Sequence, residues 1–377
     1  MDMRGKDIVL YSSGVAAILV GISTWLTMYL HSPQNTSLLE LNRLLQQLQT
    51  ATMEQEQETS PAADVVPVSL HTRMGWIYPG EPACDALADA AAYRFDVIKP
   101  EFFLVTGGGA LEFMTDDRYV CNGFSAMQTE QVRSLSDEQF VMVSSSYAQH
   151  MEQFLRADAA HGEHTERLVE FVVQEDFTGV ELDFEDYGGW TPDIYEQYRA
   201  FLERLGTALH AAGKELMIDL PPVRNADEEA WYVFRLGDFT DLPVDYIVIM
   251  GYDYQFDHGV GEPVAPLDWL AEVVQFSQQR VGSEQQLVIG IPSYGYVGNR
   301  ASGDIQIVTY EQATVHPLYS ALQRDTTSAE LMASDASTVL VVQDTESIEQ
   351  KIKTVTENGV GAISLWHLGG NQLPAKQ

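Results

Sequence analysis

Residues Phe177 to Gly189 read FTGVELDFEDYGG, with Glu181, Asp183 and Glu185 at every second position and Val180, Leu182 and Phe184 between them. Side chains alternate faces along a strand, so Gly179 and the three carboxylates share one face and the apolar residues share the other. A half-exposed antiparallel strand with a solvated acidic face gives the same alternation. The rest of the chain separates the two readings.

Seven further β-branched or apolar runs flank this one: VSLHTRMGWIY, DVIKPEFFLVT and FVMVSSS before it, and ELMIDLP, VDYIVIMGYDY, QLVIGIPSYGY and GVGAISLWHL after it. Between most of them lie segments with apolar residues at helical spacing, among them TERLVEFVVQE, IYEQYRAFLERLGTALHAAG, PLDWLAEVVQFSQQR and SIEQKIKTVTENG. Eight strand–helix units in roughly 300 residues match an α/β fold, the (β/α)8 TIM barrel, with a doubly wound open sheet as the runner-up. The longest connection, Gly298 to about Val339, carries strand-like pieces of its own and is expected to be an excursion on the barrel rim.

Inside a barrel the carboxylates point into a packed interior, where crowded like charges resist ionising together, so one of them holds a proton. Catalytic groups of such barrels sit at the C-terminal ends of strands. Glu185 therefore reaches the mouth as proton donor, and Asp183, one pleat deeper, orients or stabilises. Three acidic groups also suit a divalent metal, but no histidine or asparagine pattern lies nearby, and neither a metal nor a cofactor is expected. On the strand YIVIMGYDY, Tyr252 shares a face with Tyr246, Val248 and Met250 and lies inward near the mouth. Core packing is the plainer reading for Met250 and Val248. In AISLW, Ala362, Ser364 and Trp366 share a face, which puts small residues below and a large indole at the mouth. Asp219, by alternation with Met217 and Pro221, points inward.

These motifs carry a family resemblance. TGVELDFE resembles the DGxDxDxE strand of glycoside hydrolase family 18, the chitinases and their relatives, through Gly179, Asp183 and Glu185. It departs at Thr178 and Glu181, where the pattern has Asp. Met250-Gly251-Tyr252-Asp253 resembles the family's MxYD strand, Gly290-Ile291-Pro292-Ser293-Tyr294-Gly295 its GxPxYG strand, and Ser364-Leu365-Trp366 its last strand. Together the four span most of residues 67–372. The resemblance implies hydrolysis of β-linked N-acetylglucosamine glycans with retention of configuration, the substrate's own 2-acetamido group acting as nucleophile. It assigns Glu185 as acid and base, Asp183 as holder of the acetamido N–H, Tyr252 as donor to its carbonyl and Trp366 as the sugar floor. Asp253, Tyr294, Met250, Glu181 and Asp219 are the remaining candidate substrate contacts. VMVSSSY lacks the SxGG of chitin-degrading members, and VVQDTESIEQKIKTVTENGVGAISLWHLGG is similar to the bacterial branch that includes spore-cortex peptidoglycan N-acetylglucosaminidases. A chitinase-like lectin that binds without cutting is the alternative, kept alive by Thr178 and Glu181. A tethered scaffold with a vestigial site is a third reading.

With 55 Asp and Glu against 21 Lys and Arg, the formal charge is −34. A nucleic-acid backbone or an anionic lipid surface would repel such a chain, so no nucleic-acid partner is expected and neutral or cationic partners are favoured, with a solvated acidic surface as the plainer cause of the charge. Ile8 to Leu30 runs 23 residues without a charge, long enough to cross a bilayer. Arg4 and Lys6 before it place the N-terminus in the cytoplasm and export the rest, and no small-x-small cleavage site follows directly. The expected organisation is a cytoplasmic tip and signal anchor (1–30), a juxtamembrane helix and linker (31–66) and the catalytic barrel (67–377). The barrel then lies outside the cytoplasm, or is secreted if the anchor is cut. Leu38, Leu41, Leu45 and Leu48 form a narrow seam suited to weak self-association. Cys84 and Cys121 allow one disulfide or two buried thiols. Gly107-Gly108-Gly109 reads as a turn, and the spacing of His161 and His164 is not that of a zinc-protease helix.

Overall fold

The computed structural model describes residues 66–115 and 118–374. The described chain forms β1 (Thr72–Ile77), β2 (Val97–Val105), β3 (Leu111–Phe113), β4 (Glu138–Ser145), β5 (Gly179–Phe184), β6 (Glu215–Leu220), β7 (Tyr246–Met250), β8 (Gln286–Pro292), β9 (Gly295–Asn299), β10 (Ile305–Val308), β11 (Gln323–Arg324), β12 (Leu331–Ser334), β13 (Thr338–Val342) and β14 (Ala362–Trp366). Eight of these close into a parallel barrel in the order β1-β2-β4-β5-β6-β7-β8-β14, and β14 bonds back to β1. That closure decides against the open sheet. All eight runs singled out in the sequence are barrel strands. β3 folds back on β2 after a turn in which Gly108 and Gly109 take positive φ, as the glycine triplet suggests.

The strand alternation sorts two cores. Val180, Leu182, Phe184, Ile218, Ile247 and Ile289 face the helices in one cluster, and Met74, Trp76, Phe140, Met142, Met217 and Val248 fill the barrel in another. Each such side chain contributes roughly 1.5–3 kcal/mol when fully buried. Helix Pro192–Ala211 shows how the outer layer forms. The Thr191 side chain accepts from the Ile194 N–H, Pro192 fits the first turn, and Tyr198, Phe201, Leu202, Leu205 and Leu209 are buried at helical spacing. At the base of β5 a Cβ on Gly179 would lie 2.2 Å from the Glu215 carbonyl and 2.7 Å from the Phe140 ring, so only glycine lets the strands approach there.

The long connection is an antiparallel sheet ordered β10-β9-β13-β12-β11, the expected rim excursion, framed by β8 and helix Thr345–Glu357. Its anchor is a fully buried ion pair. Lys351 Nζ lies 3.1 Å from Glu330 Oε1 and also reaches the Ser328 carbonyl and Gln343 Oε1, while Glu330 accepts from the backbone N–H groups of Val264 and Ala265. Removing one partner leaves the other charge buried, so Lys351→Met should lower stability by about 3–5 kcal/mol in denaturant unfolding. An unchanged midpoint would show that the pair holds nothing together.

Cys84 and Cys121 are joined as a disulfide, which rules out two free thiols. His161 ends helix Ala148–His161, and His164 is buried against the Phe154 ring at 4.2 Å, a packing role. The apolar segment 8–30 and the leucine seam lie outside the described residues. Among the described residues no helix is long and apolar enough to cross a membrane.

Candidate active site

The barrel's C-terminal mouth gathers the carboxylates. Parallel pairing sets Asp183 opposite Ser144 of β4, and Glu185 follows directly, its N–H donating to the Ser145 carbonyl at 2.9 Å. Trp190 Nε1 donates back to the Glu185 carbonyl at 3.0 Å, and Asp186, at φ 55°, accepts from the Ala148 N–H. The backbone around Glu185 is thus held from several sides while its side chain stays part-exposed.

Burial pushes the Asp183 carboxyl well above the usual range, with Glu185, Glu101 and Glu181 acting in the same direction and Lys99 against them. Burial, with Asp253, raises Glu185 as well. Asp183 Oδ1 is buried and has no hydrogen-bond partner within the protein. Two neighbouring carboxyls raised in proton affinity at a barrel mouth are an arrangement that general acid–base chemistry uses.

Tyr252 lines the same groove as Glu185. Its ring lies 6.1 Å from Trp366 at a shallow angle and edge-on to Trp76 and Tyr294. Gly290 makes the room, since a Cβ there would meet the Tyr252 ring at 2.9 Å. Trp366, at the end of β14, is part-exposed and packs on Tyr294 at 4.9 Å. Beside them opens a groove of about 750 Å³ lined by Glu185, Met250, Tyr252 and Asp253, among others. Its outer wall holds Trp231, 75% exposed, and Phe256, 52% exposed. Large rings left in water beside acids form an exposed apolar surface of the kind found at ligand-binding grooves.

Three sequence expectations need correction. Glu181 is fully buried one pleat below Asp183, where Lys99 Nζ donates to Oε1 at 2.5 Å and Trp76 Nε1 to Oε2 at 3.0 Å, so it touches no substrate. Asp219 points inward as expected but is 2% exposed, again beneath the groove. Tyr294 is fully buried, and its hydroxyl donates to Asp253 Oδ1, which places it behind Asp253 rather than on the groove surface. Met250 is 8% exposed and both packs the core and lines the groove.

Two inward groups escaped the sequence reading, Lys99 and Glu101 on β2. Glu101 is buried, accepts from Ser144 Oγ at 2.5 Å, and is pushed up to about 7 by burial, with Glu185 and Glu181 adding to it. The signal was present: Lys99 and Glu101 stand two apart in the otherwise apolar run DVIKPEFFLVT, the same pleat pattern as on β5. Among the described residues no three His, Cys, Asp or Glu side chains are placed to hold a metal ion.

The family model for glycosyl hydrolases family 18 matches residues 89–371. The chain belongs to that family. It is thus of a glycosidase class, and the four motifs lie on the strands where the resemblance put them. The chain is 26% identical over 228 residues to a putative sporulation-specific glycosylase, YdhD, of Bacillus subtilis, a match covering 57% of this chain and 53% of that protein. The chain spans about half the length of the curated relatives it matches. In fold it is similar to the spore cortex-lytic enzyme SleL of Bacillus megaterium, with TM-score 0.66 and 15% identity over 84% of this chain and 74% of that one. It is also similar to a Cycas revoluta chitinase solved in complex with (GlcNAc)3, with TM-score 0.61 and 14% identity over 79% and 95% of the two chains.

Proposed function

We propose that this chain hydrolyses β-linked N-acetylglucosamine glycans, with peptidoglycan as the substrate class, by substrate-assisted retaining catalysis. The observation that carries the reading is the Asp183–Glu185 pair, both raised in proton affinity, with Glu185 and Tyr252 lining one acidic groove and Trp366 packed against Tyr252. Glu185 gives its proton to the leaving glycosidic oxygen. The acetamido oxygen of the substrate attacks the anomeric carbon, so the leaving bond breaks as the C–O bond of an oxazolinium ring forms. Asp183 accepts the acetamido N–H, and Tyr252 donates to the acetamido oxygen as it closes the ring. Ionised Glu185 then takes a proton from water, which opens the ring with retained configuration. Trp366 floors the reacting sugar, Asp253 meets its hydroxyls, and Trp231 and Phe256 stack the sugars beyond the cut.

Peptidoglycan is favoured over chitin by the absence of SxGG in VMVSSSY and by the cortex-lytic name of the SleL neighbour. The (GlcNAc)3 complex of the Cycas revoluta chitinase supports an N-acetylglucosamine glycan in either case. Neither departure from the family motif touches the groove. Thr178 Oγ1 accepts from the Gln139 N–H at 3.1 Å at the opposite end of the barrel, and Glu181 is taken up by Lys99. The lectin alternative therefore loses its motive. We extend the proposal to organisation: segment 8–30 anchors the chain in a membrane, and residues 67–377 act as a catalytic domain outside the cytoplasm.

Mass spectrometry of products from peptidoglycan fragments and chitin oligomers tests the substrate class. Peptidoglycan fragments ending in N-acetylglucosamine are expected. Cleavage of chitin oligomers alone would move the substrate assignment, and binding without cleavage of either would restore the lectin.

A further inference from the structure

Lys99 and Glu181 form an ion pair with both side chains 0% exposed, directly below the catalytic carboxyls. Lys99 Nζ also lies 3.4 Å from the Trp76 ring centroid and 3.9 Å from Met217 Sδ. The glycan cannot reach either group. We propose that this pair is a positioning device that sets the proton inventory of the site: Lys99 cancels the charge of Glu181 beneath Asp183, which limits how tightly the carboxyls above it hold their protons and leaves them free to give them up. The inference rests on the reading of those two residues as the acid–base pair.

The geometry gives the direction of each effect. Around Asp183 stand Glu101 and Lys99 from β2, Glu181 and Glu185 from its own strand, Asp219 from β6, Tyr252 after β7 with Asp253 beside it, and Tyr187 and Tyr198 from the segment after β5. Lys99 is the cation in this shell, and its charge works against the upward push on both Asp183 and Asp219. Its own ammonium is pulled down by burial, with Glu181, Asp219 and Asp183 holding it up. Adding a negative charge below the mouth makes the carboxyls hold protons more tightly, and adding a positive one makes them release protons.

Full-chain Lys99→Met therefore leaves Glu181 uncompensated, and both limbs of the kcat/KM profile against pH are expected to rise by roughly one pH unit. Glu181→Gln leaves Lys99 uncompensated, and both limbs are expected to fall by a similar amount. The Lys99→Met/Glu181→Met double variant changes no net charge, and its limbs should lie near the native positions. A purely structural pair would lower activity or stability without moving the limbs in opposite directions, and that outcome would overturn the proposal. Glu181→Gln keeps an acceptor for Lys99 and the same shape, so it reports even if Lys99→Met does not fold.

If the native chain cuts no N-acetylglucosamine glycan, the catalytic reading falls, and carboxyl-carbon NMR still decides on the ion pair. The Asp183 resonance, assigned by its loss in Asp183→Asn, is expected to titrate higher in Lys99→Met and lower in Glu181→Gln. Equal midpoints in all three proteins would sink the inference without reference to turnover.

Discussion

Glu185→Gln lowers kcat on N-acetylglucosamine oligomers by at least roughly 10³-fold while their binding is kept, since the amide preserves shape but delivers no proton. Glu185 serves twice, once protonating the leaving oxygen and once deprotonating water, so both halves of the reaction fail together. The variant should fold normally, because the Glu185 side chain is part-exposed and the local hydrogen bonds to Ser145 and Trp190 run through its backbone. Steady-state kinetics beside calorimetric binding gives the answer. Turnover within a few-fold of native would remove Glu185 from the chemistry.

Asp183→Asn produces the second large effect, a fall in kcat of roughly 10²–10³-fold with little change in KM. The lost interaction is one that strengthens only as the acetamido group closes on the anomeric carbon, so ground-state binding is largely spared. A raised KM with unchanged kcat would recast Asp183 as a simple binding group.

Much of this site is legible in the sequence because one rule, the alternation of strand side chains, applies to every barrel strand. It places Glu185, Asp183, Tyr252 and Trp366 at the mouth from spacing alone. The same rule points Glu181 and Asp219 inward, but it does not say how deep a side chain lies, and depth separates a substrate contact from a buried support. Glu181 is one pleat, two residues, too low. Pairing is hidden for a related reason: Lys99 and Glu181 are 82 residues apart in sequence, and they meet because the barrel brings β2, β4 and β5 around one axis. Tyr294 carries the GxPxYG motif yet lies behind Asp253, since β9 turns away from the barrel directly after it. Trp231 sits in a turn after β6 and Phe256 in the five-residue helix Tyr254–His258 after β7, segments too short for periodicity to mark a ring left in water.

The central claim is that the substrate supplies its own nucleophile. Its most direct test is proton NMR of the first products from peptidoglycan oligomers and from matched oligomers that lack the acetyl group at the bond cut. The proposed mechanism predicts that acetylated oligomers are cleaved with the β-anomer appearing first, and that the deacetylated ones are left intact. Cleavage of both at similar rates, or first appearance of the α-anomer, would contradict it.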